Sequence, residues 1–210
     1  MTTADFAPRS PNMLDDIINA NSKYAESFDK PMTLGAKKKL SIVTCMDSRL
    51  LIDKMLPGVD IGDVEIIRNA GGRVTMDVVR SLFVAQEVPE LATRAVLLLH
   101  HTDCGAMAAM RHHDQLVGRM RQLLSEWGVT TWAVQALASA WGLLLPRFVR
   151  KKVLNAVMRP FADPAASVRE DVWLLRNAPL MPKDIPIYGM VYDVQTGRMH
   201  HVLTSPAGKA

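Results

Sequence analysis

Leu40-Ser-Ile-Val-Thr-Cys45-Met-Asp47-Ser-Arg49 and Ala95-Val-Leu-Leu-Leu99-His100-His101-Thr-Asp-Cys104-Gly105 are the stretches that decide how this chain folds. Each begins as a short apolar, largely branched run, too brief for a buried helix, and reads as a strand covered on both faces. Each then breaks off into residues that carry chemistry. Between them lie a third such run, Val64-Glu-Ile-Ile67, and the interval Met76 to Glu87, around which Val78, Val79, Leu82, Phe83 and Val88 recur at helical spacing. Strand, helix, strand at this rhythm predicts an α/β fold with a mostly parallel central sheet and crossover helices. Sheets of that kind place their sites outside the carboxyl ends of the strands. Both cysteines of the chain fall there.

Toward the N-terminus, Ser10-Pro11 followed by Asp15 and Asp16 has the form of a helix start. Leu14, Ile17, Ile18 and Tyr24 give that helix one apolar side, so a helical arm is predicted over about residues 10–28. Toward the C-terminus, Ser167-Val-Arg-Glu170 is a capping-box pattern, predicting a helix from there to about Asn177, stopped by Pro179 and Pro182. Ile185 to Val194, the turn Gln195-Thr-Gly197 and Arg198 to Leu203 read as a strand, a tight turn and a returning strand. Ala106 to Phe161 is helical in pattern but broken by Gly118, Gly128, Gly142, Pro146 and Pro160. It predicts an extra helical segment, over about residues 115–161, within one domain spanning 1–210.

Composition narrows the function classes. Of 210 residues, 49% are hydrophobic and 22% charged, enough apolar matter for a sizeable core. A net charge of +4, from 25 cations against 21 anions, is too dilute for a nucleic-acid footprint. The densest cationic runs, Lys37 to Lys39 and Arg147 to Lys152, read as a solvated strand entry and a polar helix face. Met1 to Asn12 has no apolar core of a secretory signal. Gly128 to Pro146 is the longest uncharged stretch, but Thr130, Thr131, Gln135, Ser139 and Gly142 interrupt it, so no membrane span is expected. Two cysteines make no disulfide scaffold, and the expected location is the cytoplasm.

The two thiols with a histidine form a donor set suited to zinc. His101 and Cys104 are three residues apart, so one turn can present both to a single ion. Adjacent strand residues face opposite ways, and the His-x-x-Cys spacing selects His101, leaving His100 packed or hydrogen-bonded beneath the sheet. Three protein ligands leave a fourth tetrahedral position open, as in catalytic sites. Asp47 is either a switchable fourth ligand or an acceptor that orients a zinc-bound hydroxide, and Arg49 competes for its carboxylate. The same cysteines also read as ordinary buried thiols or as one disulfide. The Asp-Ser-Arg triplet favours the metal, because buried thiols need no ion pair beside them.

Cys45-x-Asp47-Ser-Arg49, then Arg68-Asn69-Ala70-Gly71-Gly72, then His101-x-x-Cys104-Gly resembles the signature of the β-class carbonic anhydrases and their relatives, the carbonyl sulfide and carbon disulfide hydrolases. The three blocks span residues 40–105, and the tail from Pro179 through Val202 resembles the end of the shorter members. The resemblance implies Zn2+ held by Cys45, His101 and Cys104, with Asp47 and Arg49 as a catalytic dyad. It implies attack of metal-bound hydroxide on carbon dioxide to give bicarbonate, or hydrolysis of carbonyl sulfide or carbon disulfide at the same site. It further implies a last antiparallel strand and a homodimer whose N-terminal helices embrace the partner; whether dimers pair further into tetramers is left open. Asn69, Ala70, Gly71 and Gly72 are read as shaping the pocket floor, since the run lacks the patterns of nucleotide cradles. The segment with Trp127, Trp132 and Trp141 is read as extra core or dimer surface, or as a lid suited to less polar substrates. His112-His113 and His200-His201 are candidate proton relays, although such doublets are more often exposed surface. A non-catalytic zinc- or redox-sensing dimer is the reading from another class.

Overall fold

Leu40–Cys45 (β1) lies second from one edge of a five-stranded sheet in the computed structural model, which describes residues 13–29, 32–112, 115–116, 119 and 159–208. Five of its six residues are buried, as expected for a strand covered on both faces. Val64–Asn69 (β2) and Ala95–His101 (β3) pair with it in parallel on either side, and Ile187–Tyr192 (β4) pairs in parallel with β3. Met199–Ser205 (β5) closes the order antiparallel to β4. The mostly parallel sheet with a returning last strand is the predicted fold. β2 and β3 each continue two residues beyond the apolar runs read in the sequence. The polar ends Arg68-Asn69 and His100-His101 thus remain in register with their neighbours.

Helices cover both faces. Met76–Glu87 (α3) has the predicted bounds and is capped by Thr75, whose hydroxyl accepts from Val78 N–H. Val78, Val79 and Leu82 of α3 pack with Val43, Val96 and Leu98 of the sheet and with Val168, Val172 and Leu175 of Pro164–Asn177 (α5). Ile52–Met55 (α2) lies on the other face with Ile42, Leu97 and Leu99. The start of α5 corrects the capping-box reading. Asp163 is the cap, its carboxylate accepting from Ala165 N–H, with Pro164 in the first turn. Ser167 and Glu170 lie inside the helix, their side chains turned to other partners described below.

The chain divides into two compact units at Thr33 and Leu34. In the first, Met13–Glu26 (α1) has acidic residues in its first turn, Lys23 in its last, and no buried residue. The expected start at Ser10-Pro11 lies outside the described residues, as do His113 and most of the segment from 115 to 161 with its three tryptophans. Among the described residues no helix is long and apolar enough to cross a membrane.

Candidate metal centre

The chain leaves β1 for one edge of the sheet at β2 and then crosses back to β3 on the other side, so the strand order reverses beside β1. A crevice opens outside the carboxyl ends of β1 and β3 at such a reversal. Cys45 ends β1, His101 ends β3, and Cys104 follows immediately before Gly105–Arg111 (α4). Their ligand atoms all lie within 4.8 Å of one another, and all three residues are buried. Both thiols are free, with the two sulfurs 3.8 Å apart.

His101 is oriented by its own loop. Nδ1 donates to the Thr102 carbonyl at 2.8 Å, which leaves Nε2 as a bare lone pair. Nε2 is buried and has no hydrogen-bond partner among the described residues. Thr102 is itself tied to the β4–β5 turn, its hydroxyl accepting from Val194 N–H at 3.1 Å. The pleat separates the two histidines as expected, but it does not select His101. Val43 of β1 shares a core cluster with Val96 and Leu98, so strict alternation would aim Cys45 to the side of His100. His101 joins the cysteines because Cys45 is the last residue of β1, where the pleat ends.

The two thiols are within hydrogen-bonding distance and push each other's acidity in opposite directions. Cys45 is pulled down first by the hydrogen bond from Cys104 and further by backbone N–H groups, with burial opposing. The same contact, together with burial, pushes the Cys104 thiol up. The pair therefore ionises once easily, and the second proton leaves only when a cation arrives to offset the charge.

Beside the thiols, Asp47 and Arg49 form a bidentate pair, Nε to Oδ1 at 2.9 Å and Nη2 to Oδ2 at 2.8 Å. The Arg49 hydrogen bonds hold the Asp47 carboxyl well below the usual carboxylate range, against a smaller opposing effect of burial. Asp47 Oδ2 stands 3.9 Å from His101 Nε2, so the carboxylate borders the donor set. Arg68 steadies the loop from below, donating to the Cys45 carbonyl at 3.0 Å and to the Asp47 carbonyl at 2.7 Å. Asn69 donates to the Arg73 carbonyl at 2.8 Å, while its Oδ1 is buried without a partner among the described residues. Gly71 and Gly72 have φ of 80° and 66°, the left-handed region that favours glycine. A Cβ on Gly72 would sit 2.9 Å from the Cys45 nitrogen.

A carbonic anhydrase family profile matches residues 40–199. Beta-carbonic anhydrase 1 of Mycobacterium tuberculosis is 32% identical over 189 residues, covering 90% of this chain and 96% of the relative. The chain belongs to the β-carbonic anhydrase family. The crystal structure of the carbonic anhydrase from Streptococcus mutans matches with 37% identity and a TM-score of 0.63, over 90% of this chain and 97% of that one. A carbon disulfide hydrolase of Acidianus sp. is 31% identical over 196 residues, 89% of each chain. Within this β-carbonic anhydrase fold, His100 takes the role expected beneath the sheet. Its Nε2 lies 3.1 Å from the Gly72 carbonyl and its Nδ1 2.6 Å from the Ser167 hydroxyl.

Residue patterns did not reveal what stands behind His100. Arg73 and Asp171 form a fully buried pair at 2.8 Å, joined by Glu170 and by Arg159, whose guanidinium lies 2.9 Å from Asp171. Phe161 stacks on His100 with centroids 5.6 Å apart, lies under the Arg73 guanidinium, and packs in one cluster with Cys45 and Cys104. Burial pushes the Asp171 carboxyl up, but His100 and Arg73 together outweigh it and hold it low. Of the histidine doublets, His200 and His201 are exposed on β5 and His112 is exposed after α4.

Proposed function

We propose that this protein is a zinc enzyme that reversibly hydrates carbon dioxide, CO2 + H2O giving HCO3− and H+. The observation that carries this reading is the buried His101 Nε2, unpartnered and bare, facing two thiols 3.8 Å apart. Roughly 3.8 Å is also the edge of a tetrahedron with zinc–sulfur bonds of about 2.3 Å. Cys45, His101 and Cys104 would hold the ion, which when bound supplies a Lewis acid that lets water lose a proton near neutral pH. Asp47, kept ionised by Arg49, accepts a hydrogen bond from the attacking water and turns its oxygen toward the carbon. Asn69 Oδ1 and the glycine turn bound the floor of the pocket. The proton released passes to solvent, and Thr102 keeps His101 in the tautomer that leaves Nε2 a ligand throughout.

Hydrolysis of carbonyl sulfide or carbon disulfide is the second reading, favoured by the named carbon disulfide hydrolase among the relatives. The test is initial rates with carbon dioxide and carbonyl sulfide side by side on zinc-loaded protein near pH 8, with Cys104→Ser as the blank. Fast carbon dioxide turnover supports the first reading, and dominant carbonyl sulfide turnover the second. Asp47→Ala is expected to abolish turnover while zinc stays at one per chain. Turnover of neither substrate above the Cys104→Ser blank would favour a non-catalytic zinc or redox role.

The assembly that fits is a homodimer. α1 carries Leu14, Ile17 and Ile18 exposed, and the outer edge of β2 has no strand partner among the described residues and leaves Ile66 exposed, both surfaces that a second copy would cover. Light scattering before and after removal of residues 1–33 tests this, a dimer falling to a monomer being the expected result. Two free thiols this close suit a reducing compartment such as the cytoplasm.

A further inference from the structure

Arg49 spends its donors on two carboxylates. One edge grips Asp47 from within the same loop. The rest reaches 54 positions along the chain to Asp103, Nη1 to the carboxylate Oδ2 at 2.9 Å and Nη2 to the main-chain carbonyl at 2.8 Å. Asp103 is held at φ +51°, a left-handed conformation that few residues other than glycine, asparagine and aspartate adopt. In that conformation carbonyl and carboxylate meet the same guanidinium, and the residue stands between the candidate ligands His101 and Cys104 in the chain.

The ion pair does little for stability. Asp103 is 68% exposed and Arg49 42%, and ion pairs so open to solvent are largely screened. What it fixes is direction. A guanidinium held only by Asp47 would swing with that carboxylate, whereas one anchored from the opposite loop presents a stationary edge to it. Asp47 Oδ2 is only 3.9 Å from His101 Nε2, so a small swing of that edge would carry the carboxylate onto the donor set.

We infer that Asp103 is a positioning residue, which fixes the Arg49 guanidinium so that Asp47 is held off the fourth ligand position. The inference rests on the proposed metal-assisted reading of the site. Asp103→Asn keeps the left-handed backbone and its carbonyl and removes only the charge, and Asp103→Gly removes the whole side chain.

The experiment compares wild type, D103N, D103G, R49A and R49A/D103N as full-length protein. The readouts are Tm, zinc per chain, kcat and KM for carbon dioxide, and the visible spectrum of the cobalt(II)-substituted forms. For D103N and D103G the expected result is Tm within about 2 °C of wild type, one zinc per chain, and kcat about tenfold lower with KM within about twofold. The cobalt spectrum is expected to change, and in the R49A background D103N is expected to add nothing to either kcat or spectrum. An unchanged kcat and spectrum in D103N, or an equal loss in the R49A background, overturns the inference. If wild type turns over neither carbon dioxide nor carbonyl sulfide, the enzymatic reading fails by itself. The cobalt spectra then still decide whether Asp103 acts through Arg49.

Discussion

Gly72 shows how little room the centre leaves its backbone. Its φ of 66° is left-handed, and an added Cβ would lie 2.9 Å from the nitrogen of Cys45 and from the carbonyl carbon of Thr44. Neither atom can move without shifting a candidate ligand. Gly72→Ala is therefore expected to cost on the order of 2 kcal/mol, from backbone strain and from displacement of β1. It is also expected to lower zinc per chain, read by urea titration and metal analysis on the same preparation. That glycines here permit a tight turn was legible in the sequence, but the reason the turn must be so close was not. Glycine is required here because the turn presses on the strand end that carries Cys45, and such a contact exists only once the strands are aligned.

α5 and β4 are matched to each other. Gly189 sits where β4 passes under α5, and a Cβ there would lie 2.5 Å from Val168 Cγ1 and 2.9 Å from Leu203 Cδ2. Gly189→Ala is expected to destabilise by about 1–3 kcal/mol through overpacking, read as a lower denaturation midpoint. The helix is begun by Asp163. Asp163→Ala is expected to cost about 1 kcal/mol with kcat for carbon dioxide unchanged, since the cap touches no site residue. The capping-box pattern misplaced this start because Ser167 and Glu170 have the residue types of a cap. Their side chains instead answer His100 and Arg73, groups brought near them by the sheet.

The molecule as a whole is bolted behind its site by the Arg73–Asp171 pair. It links the turn after β2 to α5 and, through Arg159, to the stretch ahead of Phe161. Removing one partner leaves a buried charge uncompensated, so Asp171→Asn is expected to cost about 3–5 kcal/mol. The sign with pH follows from the lowered folded pKa of Asp171. Its stabilisation is fully present above the unfolded value of about 3.9 and is lost as pH falls through the lower folded value. The stability gap between wild type and Asp171→Asn is expected to stay constant from about pH 5 to 8 and to narrow below about pH 4. Denaturant titrations of both proteins across that range test it, and a gap that widened in acid would contradict the assignment.

Short-range pattern alone determined much of this protein. β1, α3 and the β4–β5 hairpin are written in runs of six to twelve residues, where apolar spacing and a turn suffice. The donor set was legible for the same reason, since both cysteines and a histidine three residues from one of them lie at ends of such runs. Only the tertiary structure decided the partners. Arg49 meets Asp103 across 54 positions, and Arg73 meets Asp171 across 98. No local period connects such residues. Which charges pair depends on where β1, β3 and α5 come together, and that is settled by burying apolar faces whose composition says nothing about the charges they bring with them.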